Sequence, residues 1–414
     1  MKRFRQLLLL VLFLAAVATL SACSNKQTDA SSDRVTITFW HGMTGERKTE
    51  LNQMISDFNK SQSKYKVVGS SQGDFAGVQQ KITAAAKSKT LPTIAQTTYT
   101  NVPNYVKGGF VTSFDPYISK SDLSDIYPAF LQATMYQGKR YSMPFSKSAR
   151  ILFYNKDLLK QEGLSVPTTW ADIQNDGERL KAKGITAMAF DQSFVSELDG
   201  LTYQSGSQLL SSKPTVDSKQ TLAATHVIWD MLQEGTATTA GTDGYGSTKF
   251  FAGKTLFYSG SSAAISTIQA STPKGMHWGT ATLPSYQGKQ ATGIAGNDIV
   301  MFKSASTAQR KGSAAFVKYL MSNKQTIKWA EKTGYVPLTK SAQKDAGYQS
   351  YLAKNPTAKA ASESLSFGFQ DQAFLGYEQY LAALNKAVGE MTANQVTPEK
   401  SMTQLQQQVE KIVK

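Results

Sequence analysis

Cysteine is almost absent from this chain of 414 residues: Cys23 stands alone, so no internal disulfide can staple the fold. Histidine is nearly as scarce. His41, His226 and His277 are scattered, with no His-Glu-x-x-His spacing and no cysteine beside them, which leaves no zinc site to read. Beyond the first twenty or so residues no apolar stretch approaches the ~18 needed for a membrane-spanning helix. No compact Lys/Arg run carries interleaved aromatics, which argues against nucleic acid as a partner. Internal repeats, wall-binding modules and a long Ser/Thr/Pro stalk are all missing, and with them the marks of a surface adhesin. Catalytic signatures fail in the same way. Gly253-Lys254-Thr255 ends like a phosphate-binding loop, but Thr248 stands where its first glycine belongs, and Phe250 and Phe251 fill the cradle. Ser259-Gly260-Ser261-Ser262 is not a Gly-x-Ser-x-Gly elbow. A glycosidase needs only two carboxylates, and Asp74 with Asp298 is the pair to test first. No cofactor and no catalysis are required by anything present.

What is present begins with placement. Lys2, Arg3 and Arg5 precede an apolar run over 7–20, and Leu20-Ser21-Ala22-Cys23 supplies small residues before the cysteine. The run is short for a ~30 Å hydrocarbon core and ends in a cleavage-type site, so residues 1–22 read as a signal peptide. A small-residue site ending in cysteine resembles a bacterial lipobox, which makes Cys23 the expected lipidation site and the extracytoplasmic face of the cell membrane the expected location. Residues 23–33 are polar and without apolar period, the pattern of a flexible tether. The formal charge of +15 falls to about +12 once the three leader cations are removed, and its dispersed lysines suit an anionic membrane or wall environment.

The remaining chain is about 390 residues, more than one ordinary core accommodates, which predicts two domains. Hydrophobic residues make up 41 % and charged residues 18 %, enough apolar material for large cores. Alternation predicts a strand at 35–40, and Leu51, Met54, Ile55 and Phe58 predict a helix over 46–62. A strand at 65–68, a helix at 75–87 and a strand at 93–96 complete a β-α-β-α-β order, which calls for a parallel sheet covered by helices. Further strands are expected at 151–154, 186–190 and 299–302. Further helices are expected at 170–183, 221–233, 308–321, 326–332, 374–388 and 398–413.

Five segments in one order carry a resemblance: TITFWHGMTGE (36–46), YSMPFSKSARILFYNKDLL (141–159), VPTTWADI (166–173), FFAGKTLFYSGSSA (250–263) and EKTGYVPLT (331–339). Together they resemble the extracellular solute-binding proteins of bacterial ABC importers, of the class that takes oligosaccharides and glycerol phosphates. Phe39-Trp40-His41 followed by Gly45-Glu46 is most similar to the glycerol-3-phosphate-binding branch. The resemblance implies an α/β, two-lobed periplasmic-binding-protein-like fold with hinge strands and an interlobe ligand cleft. Lobe one is expected over 34–146 plus 299–336, and lobe two over 147–298 plus 337–414. The chain should cross near 144–148, return near 295–299 and cross again near 335–338. In this family Pro-Thr-Thr-Trp (167–170) caps a helix.

Ligands of open α/β sheets sit beyond the carboxyl ends of strands, which places Trp40 and His41, at the end of the first strand, among the cleft candidates. The resemblance adds Asp74 and Phe75 at the start of the second helix, and Tyr99, which stands where the glycerol-phosphate branch has a carboxylate. It further implies ligand contacts from Ser148 in the first crossover, Ser259 and Ser261 in a small-residue turn, and Gly296, Asn297 and Asp298 in the return crossover. Tyr335 and Gln370 complete the expected set. An arginine of the glycerol-phosphate branch is loosely matched here by Gln370, which leaves Lys147 and Arg150 as candidate phosphate partners. Aromatic rings, amides and carboxylates suit a sugar, so a mono- or oligosaccharide leads, with sn-glycerol-3-phosphate or a glycerophosphodiester as the alternative. A cell-surface glycosidase or an adhesin lipoprotein is the remote one. The implied partners are the solute, two permease subunits with a cytoplasmic ATPase, and the membrane through Cys23. A monomer is expected.

Overall fold

The computed structural model describes residues 34–241 and 244–413, so the leader, Cys23 and the tether expected over 1–33 fall outside the described residues. The first strand among the described residues is Val35–His41. The helix Gly45–Ser61 follows and buries Leu51, Met54, Ile55 and Phe58, the positions three and four apart that bring one stripe onto the sheet. Val35–His41 pairs in parallel with Tyr65–Ser71 on one side and with Ile94–Thr97 on the other. This is the parallel unit that the β-α-β-α-β order called for.

The sheet then continues through two long antiparallel strands. Thr292–Phe302 pairs with Ile94–Thr97 and, on its other edge, with Ser142–Asn155. Beyond the latter lie Thr255–Ser261, antiparallel, then Thr186–Phe190 and Ala237–Thr239, both parallel. The strand Trp278–Ala281 adds to the far end of Ser142–Asn155. One eleven-stranded sheet results, and its two halves are joined through the two long strands. The strands expected at 151–154 and 299–302 are only the ends of these. Their polar middles, Ser146-Lys147-Ser148 and Gly296-Asn297-Asp298, break the apolar alternation by which strands are read.

Those middles face each other. Lys147 pairs with Gly296, Ser146 with Asn297, and the register slips between Asn297 and Asp298. Gly296 has φ +121°, and a Cβ there would lie 1.9 Å from the Ser146 carbonyl oxygen. Only glycine tolerates both the backbone angle and the approach. The segment expected to cross a third time lies against the same point, with the Val336 N–H donating to the Lys147 carbonyl at 2.8 Å.

Helices cover the second half. Trp170–Leu180 opens with a capping box in which Thr169 Oγ1 accepts from Asp172 N–H at 3.1 Å, while Asp172 Oδ2 accepts from Thr169 N–H at 2.8 Å. The helix Val195–Gln204 had no counterpart in the sequence reading. The tail helices Tyr377–Thr392 and Pro398–Ile412 bury Tyr380, Leu384, Val388, Leu405 and Val409 in the same core as Trp170, Leu198 and Leu201. A second core runs under the first half and past the crossing strands, from Phe39 and Phe316 to Phe153 and Tyr258. Among the described residues no helix is long and apolar enough to cross a membrane.

Candidate functional site

The polar middles of the crossing strands open onto a cavity of about 410 Å³. Ser148 and Arg150 reach it from the first strand, Gly293 to Gly296 from the second, and Ser261 from the end of Thr255–Ser261. The loop after Ile94–Thr97 contributes Thr98, Tyr99 and Thr100, and the opposite wall is built by Asp199, Gln370, Asp371, Tyr377 and Glu378. The site therefore forms where the sheet's two halves meet, at strand ends, as open α/β sheets favour.

The floor is a serine pair: Ser261 Oγ donates to Ser148 Oγ at 3.1 Å. Two rings form one wall. Tyr99 and Tyr377 meet edge-on, with centroids 6.1 Å apart and hydroxyls 3.4 Å apart. Burial first, and then the neighbouring Asp371 charge, raise the Tyr99 hydroxyl well above its ordinary pKa; burial does the same to Tyr377, reinforced by Tyr99. Both phenols stay protonated and available as donors.

The carboxyls are the unusual part. Asp199 and Asp371 hydrogen-bond to each other, which two carboxylates can do only by sharing a proton. Burial, then the Asp371 charge, pushes Asp199 up; burial also raises Asp371, to about 6, against the hydrogen bonds it receives from Asp199 and Tyr377. Both shifts run toward the protonated form, which favours a proton shared between the two carboxyls. Glu378 lines the same wall and accepts from Thr100 Oγ1.

The cations are committed elsewhere. Arg150 gives Nε to Glu197 at 2.6 Å and Nη2 to Asp191 at 2.7 Å, with a further Nη2 bond of 3.0 Å to the Ser259 carbonyl. Burial alone would lower its pKa, but Glu197 and then Asp191 outweigh that and hold it above its ordinary value. Lys147 is wholly buried, 2.6 Å from Asp298 Oδ1, and donates at 3.3 Å to Gln370 Oε1. The cavity wall is thus acidic.

The structure brings Tyr99, Ser148, Arg150, Ser261, Gly296 and Gln370 onto the cavity. The remaining sequence candidates lie off its lining, each for a visible reason. Trp40 packs against the cluster of Val78, Ile82, Tyr105 and Val300. His41 is buried, and its Nδ1 accepts from Met43 N–H at 3.3 Å; burial, aided by Lys48, lowers its pKa to about 4 and keeps it neutral. Asp74 caps the next helix by accepting from Gly77 N–H at 2.8 Å, and Phe75 packs on the core that holds Phe39 and Phe316. Ser259 donates to Glu197 Oε1 at 2.5 Å behind Arg150. Asn297 is buried in the crossing pair, and Asp298 is held by Lys147 and by Ser142 Oγ at 2.6 Å. Tyr335 stacks on Trp329 at 13° with the Arg47 guanidinium 5.4 Å from its ring centroid. Asp74 and Asp298, the candidate glycosidase pair, are both among these absentees. Asp199, Tyr377 and Glu378 were missed, because helical residues from two distant segments carry no local signal of convergence; Asp371 was visible only as the carboxylate beside Gln370.

A family model of the bacterial extracellular solute-binding proteins matches residues 53–360. The sn-glycerol-3-phosphate-binding periplasmic protein UgpB of Brucella melitensis is 27 % identical over 342 residues, covering 77 % of this chain and 78 % of that protein. Its namesake from Yersinia enterocolitica is 26 % identical over 381 residues, covering 86 % of each. Among solved structures, the cyclic α-maltosyl-1,6-maltose binding protein of Arthrobacter globiformis superposes with a TM-score of 0.84 at 21 % identity, covering 92 % of this chain and 99 % of that one. UgpB of Mycobacterium tuberculosis, in complex with glycerophosphocholine, gives 0.80 at 22 % identity, covering 92 % and 98 %. These likenesses carry the fold: two α/β lobes joined by crossing strands, with a cleft between them.

Proposed function

This chain belongs to the bacterial extracellular solute-binding proteins, and from that premise we propose that it captures a neutral carbohydrate in the cavity beside its crossing strands and delivers it to an ABC permease. One observation carries the choice of ligand: the cavity is walled by two tyrosines, two amides and three carboxyl side chains, while its arginine is already held by Glu197 and Asp191. Sugar hydroxyls need acceptors as well as donors, and rings pack on pyranose faces. A phosphate dianion needs uncommitted charge-assisted donors.

A second reading has its own support. The curated relatives named above bind sn-glycerol-3-phosphate, and one neighbour holds glycerophosphocholine. Under it, Arg150 turns part of its guanidinium from Asp191 toward the phosphate, and Ser148 and Ser261 add donors.

The mechanism is capture without chemistry. Solute binds to the open form, and its higher affinity for the closed form shifts the population toward closure. In our reading the lobes comprise 34–146 with 299–336 and 147–298 with 337–414. The protein works as a monomer tethered through lipid on Cys23 at the outer face of the membrane, and the ATPase subunits of the importer supply the energy. Calorimetry against monosaccharides, maltose-type and other oligosaccharides, glycerol-3-phosphate and glycerophosphodiesters tests the ligand class. Saccharide binding is expected; binding of phosphate compounds alone overturns the carbohydrate reading in favour of the second.

A further inference from the structure

A second cavity adjoins the far wall of the first. Leu210, Phe369, Gln370 and Asp371 line the first and also line the second, of about 500 Å³. The helix Pro128–Gln132 and the turn at Tyr136 and Gln137 bound this second chamber on one side, and residues 208–212 bound it on the other. Each chamber by itself has the volume of a small-ligand site.

Three features of the second chamber point to a ligand, and to its chemistry. Gln370, at the junction, is only 6 % exposed; its Oε1 accepts from Lys147, but its Nε2 has no partner among the described residues. A buried amide donor left unpaired is costly unless something completes it. Tyr203, 43 % exposed, lies flat on Phe369 with ring centroids 4.1 Å apart and planes 9° apart. Phe369, itself buried, backs one face of the Tyr203 ring, and the other face of Tyr203 is the platform on which the apolar side of a pyranose packs. The rest of the wall is neutral and amide-rich, with Gln132, Gln137, Gln208 and Gln372, and Asp371 is the one charged side chain on it among the described residues. Amides both donate and accept, as paired hydroxyls require.

We infer that the two chambers are successive subsites of one extended site, and that the ligand is a neutral oligosaccharide threaded past Gln370 with one sugar ring on the Tyr203–Phe369 platform. The inference rests on the carbohydrate reading above. A ligand confined to the first chamber reaches Gln370 but leaves the Tyr203 ring, which lines the second chamber alone, unused.

The test is calorimetry on the full chain with glucose and with the di- and trisaccharides of the α-1,4, β-1,4 and α-1,6 glucan series, repeated on Tyr203→Ala. Tyr203 is half-exposed, and an unchanged melting temperature confirms that the variant is folded. The best trisaccharide should bind at least ten-fold tighter than its monosaccharide, and Tyr203→Ala should remove most of that gain while leaving monosaccharide affinity unchanged. Equal affinity for one unit and three, or a Tyr203→Ala variant that binds the trisaccharide as the parent does, overturns the extended site while the carbohydrate reading stands. If no saccharide binds and glycerol-3-phosphate or glycerophosphocholine does, the carbohydrate reading itself fails and takes the inference with it.

Discussion

Replacing Lys147 by methionine isolates the charge that ties the two crossing strands together. Lys147 and Asp298 are both fully buried, 2.6 Å apart on facing strands, and the ammonium also meets Gln370 and lies 5.8 Å from the centre of the Tyr99 ring. Removing the cation leaves Asp298 with Ser142 Oγ at 2.6 Å as its remaining side-chain partner. An orphaned buried charge of this kind costs about 3–5 kcal/mol, whereas replacing both partners by apolar residues is often close to neutral. For the roughly 380 described residues the unfolding entropy is about 0.8 kcal/mol/K, so ~4 kcal/mol lowers the melting temperature by about 5 °C. The assay is a double-mutant cycle in urea: Lys147→Met, Asp298→Leu and the pair together. Each single variant should lose about 3 kcal/mol or more, and the double variant much less than their sum. A loss under about 1 kcal/mol for Lys147→Met, or strict additivity, would refute the claim that this pair is a coupled unit.

Gly296→Ala should yield little folded protein, because the added methyl meets the Ser146 carbonyl at a φ that only glycine favours; a soluble variant with parental melting behaviour contradicts the strand geometry. Arg150→Gln leaves Glu197 buried without its cation and should cost about 3 kcal/mol, measured by urea titration. The Asp199–Asp371 proton gives a pH signature. Folding raises both carboxyls, so the stability they contribute is complete below the ordinary aspartate range near pH 4 and is lost as pH rises through Asp371's folded value of about 6. The ligand-free protein should therefore lose less stability between pH 5 and 7 after Asp199→Asn than before it, and equal pH slopes in the two proteins would count against a shared proton. Tyr335→Ala should behave as a core truncation, losing about 3 kcal/mol through its contact with Trp329, with Tyr335→Phe close to neutral; unchanged stability in the alanine variant would show that the ring is not part of the core.

How far the sequence could be read depended on whether a signal was local. Apolar spacing placed Leu51, Met54, Ile55 and Phe58 on one helical face, and the structure buries all four. The helix cap at 167–170 came from the family resemblance, and the structure shows it as a Thr169–Asp172 capping box whose hydrogen bonds span three residues. The crossing strands were half-legible. Their apolar ends alternate, but the middles hold Ser146, Lys147, Ser148 and Asp298, residues whose burial makes sense only once the opposite strand is in place.

The site divides along the same line. The sequence by itself determined that this chain is built of alternating strands and helices, that its family is one of two-lobed solute binders, and that residues near Ser148 and Gly296 lie where strands cross. Only the tertiary structure decided which side chains line the cavity. Lys147 and Arg150 read as available cations until Asp298, Glu197 and Asp191 closed on them from distant segments. Asp199, Asp371 and Tyr377 became one site only when the helix Val195–Gln204 and the tail were folded against the same strands. Local periodicity reports which face of an element is apolar; the charge balance of a cavity is a sum over segments hundreds of residues apart, and no window of sequence contains it.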